Sequence, residues 1–121
     1  MKTILLVEDD PFIVDIYASQ LRHEGFKVDI ANTGELALEK IKNNYPDLMV
    51  LDIKLPNMDG WEVLKVVRSD PKMQNLKVIV VSNYSKEDQE SNILNFGVAK
   101  YFLKIESTPD DIVNAVKEVV G

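Results

Sequence analysis

The sequence predicts an α/β domain built on a doubly wound, five-stranded parallel sheet of strand order 2-1-3-4-5. Three observations predict it. Five short apolar segments alternate strictly with five helical patterns, the pattern of a parallel sheet covered on both faces. Ile4–Val7, Leu48–Leu51 and Val78–Val81 are continuous apolar runs, as expected of central strands buried on both sides. Phe26–Ile30 instead alternates with Lys27 and Asp29, and Tyr101–Leu103 is short, so these two belong at the sheet edges.

Each element has its own local cause. After the first strand, Asp10 caps a helix that begins at Pro11, where proline's missing N–H does no harm. Ile13, Ile16, Tyr17 and Leu21 form its inward face, and Gly25 is its stop. Thr33 caps a second helix with Leu36, Ala37, Leu38 and Ile41 on its apolar side, broken by Asn43-Asn44-Tyr45-Pro46. The third strand stops at Asp52, and Leu55-Pro56-Asn57-Met58 is loop chemistry. Asp59 then caps a third helix, with Glu62 closing a capping box and Leu64 and Val67 turned inward, until Asp70-Pro71 ends it. Beyond Val81 and Ser82, Ser85 is placed to cap a helix running from Lys86 to Phe96, with Asp88 at the capping-box position. That helix is almost wholly polar before Ile93, Leu94 and Phe96, and so weakly anchored. Thr108-Pro109-Asp110-Asp111 opens the last helix, whose apolar face is Ile112, Ala115, Val116 and Val119. The sum is a flavodoxin-like (βα)5 architecture, a single domain over residues 1–121.

Composition narrows the function. With 45% hydrophobic and 28% charged residues, the chain is that of a globular protein with one core. A net charge of −6 without a Lys/Arg cluster disfavours direct nucleic-acid binding. The absence of cysteine excludes disulfides and thiolate metal sites and suits a reducing compartment. The first apolar run ends after four residues in Glu8-Asp9-Asp10, too short for a signal peptide, and no run is long enough to span a membrane. The expectation is a cytoplasmic protein.

In a sheet of this order, ligands bind beyond the strand carboxyl ends at the switch point between the first and third strands. Asp52 and the triplet from Glu8 leave those strands and should converge. Gathered carboxylates repel one another, which raises pKa values or demands a cation, and oxygen ligands without His or Cys favour a hard ion such as Mg2+. Lys104 and Ser82 leave the fifth and fourth strands at the same edge. A carboxylate ringed by metal, ammonium and hydroxyl suits phosphoryl transfer with the carboxylate as nucleophile. No glycine-rich phosphate loop is present, so a bound nucleotide is not the expected donor.

The motifs LLVEDDP (Leu5 to Pro11), VLDIKLPNMDG (Val50 to Gly60), VVS (Val80 to Ser82) and YFLK (Tyr101 to Lys104) closely resemble those of the receiver domain of two-component response regulators, over essentially the full chain. The resemblance implies a phosphoacceptor signalling switch rather than an enzyme, beyond self-catalysed aspartyl phosphorylation and dephosphorylation. Asp52 would take a phosphoryl group from a sensor histidine kinase or histidine phosphotransfer protein, and a downstream protein would read the result. Glu8, Asp9 and Asp52 would hold Mg2+, with the Lys54 main-chain carbonyl as a further ligand. Ser82 would be the switch hydroxyl, Lys104 the phosphate-binding lysine, and Tyr101 an aromatic that changes rotamer. The surface formed by the fourth helix, last strand and last helix would change on phosphorylation. Two positions depart from the family pattern. Ile105 stands where proline usually follows the lysine, calling for a trans path or a strained cis bond, and Asn83, followed by Tyr84, replaces a small residue. Asn83 and Tyr84 are expected to narrow access to the phosphoryl group.

Blander readings apply elsewhere. Asp10 is a helix cap, Trp61 helix-flank packing, His23 a solvated helix end, and Glu87 to Glu90 a solvated face. Two rival functions stay open at this level. A phosphohydrolase with an aspartyl intermediate would show multiple turnover, but Lys54 stands where such enzymes carry a second acid. An interaction module independent of phosphorylation would bind its partner unchanged in Asp52→Asn.

Overall fold

The computed structural model describes residues 1–121. Strands β1 (Thr3–Val7), β2 (Lys27–Ala31), β3 (Leu48–Asp52), β4 (Val78–Ser82) and β5 (Lys100–Leu103) form one parallel sheet in the order β2-β1-β3-β4-β5. Helices α1 (Pro11–His23), α2 (Gly34–Asn43), α3 (Gly60–Ser69), α4 (Glu90–Asn95) and α5 (Pro109–Val120) alternate with the strands. The expected fold and strand order are both present. No helix is long and apolar enough to cross a membrane.

Strand periodicity splits the core in two. Leu5, Val7, Met49, Leu51, Val78 and Val80 face α2 and α3, with Ala37, Ile41, Val63, Leu64 and Val67. Ile4, Leu6, Leu48, Val50, Ile79 and Val81 face α1 and α5, with Tyr17, Ala18, Leu21, Ile112 and Val116. β1, β3 and β4 carry almost no exposed surface, and burying both faces is what their unbroken apolar runs allow. Register then sets the site. Val7 lies opposite Leu51, Asp52 opposite Val81, and Ser82 opposite Leu103. Glu8, Asp52, Ser82 and Lys104 therefore leave the sheet within one residue of a common line.

Helix starts follow the expected caps. Asp10, Thr33, Asp59 and Thr108 each accept an N–H of the first turn, and Asp59–Glu62 closes a capping box. Three expectations are corrected. The helix expected from Lys86 with Ser85 as its cap starts only at Glu90, and no side chain caps it. Ser85 Oγ instead accepts the Asp88 N–H at 3.3 Å, closing a turn, because Lys86-Glu87-Asp88 has nothing apolar to bury. Ile16 is 48% exposed rather than inward; Val14, Tyr17, Ala18 and Leu21 make the stripe that meets the sheet. β2 runs one residue later than expected, because Ala31 pairs with Val7 and is fully buried. β3 ends at Asp52 as expected, and this holds the carboxylate on strand backbone.

Candidate functional site

The ends of β1, β3, β4 and β5 each contribute a polar side chain to one open cleft of about 380 Å³, lined by Glu8, Asp9, Asp52, Lys54, Asn83, Lys104 and Ile105 among others. The last apolar residues of β1 and β3 deliver the acids. By strand alternation Glu8 follows Ile4 and Leu6, and Asp52 follows Leu48 and Val50, all on the α1/α5 face. Both carboxylates are nearly sealed, Glu8 at 2% exposure and Asp52 at 5%, whereas Asp9 is exposed. Oxygens of Glu8, Asp9 and Asp52 lie within 4.8 Å of one another.

Lys104 is the counter-charge. Its Nζ lies 2.7 Å from Glu8 Oε1 and 3.2 Å from Asp52 Oδ2, bridging two strands that are not its neighbours. Glu8 Oε2 accepts the N–H groups of Asp9 and Asp10, both at 3.1 Å, and Asp52 Oδ1 accepts the Lys54 N–H at 3.3 Å. Desolvation pushes the Glu8 carboxyl up to about 7 from 4.5; the Lys104 hydrogen bond opposes this, and the Asp52 charge adds to it. Burial alone would lower Lys104, but its bonds and charge pairing with Glu8 and Asp52 outweigh that and raise it. Three carboxylates against one ammonium leave an uncompensated negative charge beside hard oxygen donors. A divalent cation such as Mg2+ fits that donor set.

The Ser82 side chain is fully buried, and its Oγ accepts the Tyr84 N–H at 3.0 Å. The Tyr101 hydroxyl donates to the Tyr84 carbonyl at 2.6 Å. The peptide groups of one loop residue are thus gripped from two strands. Asn83 and Ile105 border the cleft, while the Tyr84 side chain does not line it and is 45% exposed. The Lys104–Ile105 bond is trans, and Lys104–Glu106 forms a 3₁₀ turn, with Ile105 83% exposed. Gly60 permits the return of the chain, since a Cβ there would meet the Asp52 carbonyl oxygen at 2.7 Å.

Sequence reasoning missed two contributors. Tyr17, assigned only to packing, is buried close enough to feel the charges of Lys104, Glu8 and Asp52. Arg68, in the last turn of α3, donates to the carbonyls of Phe96 at 2.7 Å, Gln74 at 3.0 Å and Leu76 at 2.7 Å. Nothing local marks either one, because Tyr17 meets side chains, and Arg68 backbone carbonyls, that are distant in the sequence.

A doubly wound sheet of this order, with acids and a lysine converging past its central strands, defines a signalling domain of the receiver type rather than a classical enzyme. The chain belongs to the response regulator receiver domain family, whose model matches residues 4–117. Among curated proteins, the polar-differentiation response regulator DivK of Brucella ovis is 27% identical over 120 residues, covering 99% of this chain and 97% of DivK. An uncharacterized 14.6 kDa protein of Leptolyngbya boryana is 35% identical over 101 residues, covering 84% of this chain and 77% of that one. Among solved structures, a CheY-like receiver domain protein of Methanospirillum hungatei JF-1 superposes with a TM-score of 0.89 at 35% identity, covering 99% and 94% of the two chains.

Proposed function

We propose that Asp52 accepts a phosphoryl group from a phosphohistidine of a sensor histidine kinase or histidine phosphotransfer protein, and that this resets the surface of α4, β5 and α5 for a downstream protein. The observation that carries the reading is the bridging of Glu8 and Asp52 by Lys104 in a cleft open on one side. An Asp52 carboxylate oxygen attacks phosphorus. The new P–O bond forms as the N–P bond breaks, and the electron pair returns to the imidazole, which takes up a proton. Lys104, already against Asp52 Oδ2, is placed to neutralise the incoming oxygens. Glu8, Asp9, Asp52 and the Lys54 main-chain carbonyl would hold Mg2+, which when bound supplies further charge neutralisation.

The readout runs through Tyr84. Drawing the Ser82 hydroxyl toward new phosphoryl oxygens pulls on the Tyr84 N–H that it accepts, and this loosens the Tyr84 carbonyl from Tyr101. Tyr101 is then free to turn. Asn83 borders the cleft, so we assign it the control of water access, and Asn83→Ala should change the dephosphorylation rate. Ile105, which is 83% exposed and lines the cleft with Ile13, and Phe12, next to Ile13 in the chain and 79% exposed, support docking of a protein donor rather than only a small molecule. In this reading the domain works in the cytoplasm, without nucleic acid or membrane as partner.

The test uses acetyl or carbamoyl phosphate with Mg2+. One hydroxylamine-labile phosphoryl group per chain is expected by intact mass, and none in Asp52→Asn. A label that survives Asp52→Asn refutes the assignment.

A further inference from the structure

Helix α4 has six residues, none of them buried, and no side-chain cap. A helix that short does not persist in water by its own propensity. What holds it comes largely from one helix, α3. The Trp61 indole donates from Nε1 to Gln89 Oε1 at 2.8 Å, at the N-cap position of α4. The Trp61 ring also stacks on Phe96, centroids 6.0 Å apart and planes 21° apart, at the C-cap position. Arg68, two turns further along α3, donates from Nε to the Phe96 carbonyl at 2.7 Å and from Nη2 to the Gly97 carbonyl at 3.5 Å.

The two ends of α4 are held unequally. At the N-terminal end there are only neutral side-chain hydrogen bonds, both accepted by Gln89 Oε1: the one from Trp61 that ties α4 to α3, and a longer one at 3.4 Å from Asn92 Nδ2 within α4. At the C-terminal end there is a guanidinium that also binds the Gln74 and Leu76 carbonyls ahead of β4, and charge-assisted bonds are roughly twice as strong as neutral ones. Gly97, with φ +60°, supplies the left-handed turn at that end. We infer that Trp61 and Gln89 form a latch and Arg68 a pivot, so that α4 opens from its N-terminal end, next to the loop carrying Ser82 and Tyr84, while its C-terminal end stays fixed. This rests on the receiver reading only for its use in signalling; the latch itself belongs to the resting protein.

Hydrogen exchange on the full chain without phosphodonor tests it. Trp61→Phe keeps an aromatic ring against Phe96 and removes the donor. Exchange at the Ile93 amide, the first of α4 with a carbonyl partner (Gln89, 2.9 Å), should rise roughly fivefold, as loss of one neutral hydrogen bond implies, with residues 96–98 unchanged. Gln89→Ala, which also removes the Asn92 contact, should raise it at least as far, and the double variant should rise no further than Gln89→Ala alone. Arg68→Lys should raise exchange at Ile93 and at residues 96–98 together. Equal rises at both ends in Trp61→Phe, or additive effects of Trp61→Phe and Gln89→Ala, overturn the inference. Trp61 is the sole tryptophan, so its emission reports the latch during phosphorylation. Phosphoryl uptake with unchanged emission and unchanged exchange at Ile93 removes the latch from the switch while leaving Asp52 as acceptor. Absent uptake instead overturns the acceptor reading, and the exchange comparison still decides the latch.

Discussion

Replacing Lys104 by methionine isolates the electrostatics of the acidic cleft, since methionine fills much of the lysine stem's space without its charge. Lys104 is 14% exposed in its side chain and touches two carboxylates that are 3% and 5% exposed. Without it, oxygens of Glu8 and Asp52 face each other within 4.8 Å. At an effective dielectric of about 20, two unit charges at that separation repel by about 3.5 kcal/mol. The attraction lost is offset in part by no longer burying an ammonium, so a net loss of about 3 kcal/mol is expected at pH 8. Glu8 has an escape. Its carboxyl already titrates near 7, and loss of the ammonium pushes it higher, so near pH 5 it is neutral with or without Lys104. There the cost should shrink to about 1 kcal/mol, the value of the remaining bond to Asp52. Urea unfolding of both proteins in EDTA at pH 5 and pH 8 measures the difference. Equal destabilisation at the two pH values would refute the reasoning, and Mg2+ at pH 8 should narrow the gap by binding only the folded state.

The raised Glu8 carboxyl also sets the pH dependence of the native protein. Its folded value lies above the ordinary 4.5, so the folded state holds the extra proton between them, and metal-free stability should fall as pH rises from about 4.5 through about 7. Glu8→Gln should flatten that slope in the same unfolding series. Gly60→Ala places a Cβ 2.7 Å from the Asp52 carbonyl oxygen and 2.8 Å from Ile53 Cα; it should cost about 2 kcal/mol and slow phosphoryl uptake by shifting Asp52. Asp59→Ala removes the acceptor of the Glu62 N–H at 2.9 Å and should cost about 1 kcal/mol, seen as a lower urea midpoint at unchanged slope.

Much of this protein was legible locally. Continuous apolar runs against the alternating Phe26–Ile30 segment reported which strands are buried on both faces, because burial is written directly into side-chain period. Asp10, Thr33, Asp59 and Thr108 marked helix starts because capping is a contact within three residues. Strand order then brought Glu8, Asp9, Asp52, Ser82 and Lys104 to one edge. The tertiary structure decided what depends on distant surface. Ser85 has a good cap and Asp88 the right spacing, yet no helix starts there, because a polar segment gains nothing by winding where it has no core to cover. Ile16 matches a helical stripe but falls outside the arc that the sheet covers. Tyr84 is held through its peptide groups, by Ser82 and Tyr101, while the ring that drew attention to it lies off the cleft. Arg68 and Gln89 do their work on partners 28 residues away. Side-chain period and capping are short-range and survive in the order of residues. Which polar group meets which backbone is set only when the register of the sheet and the packing of its helices have been established.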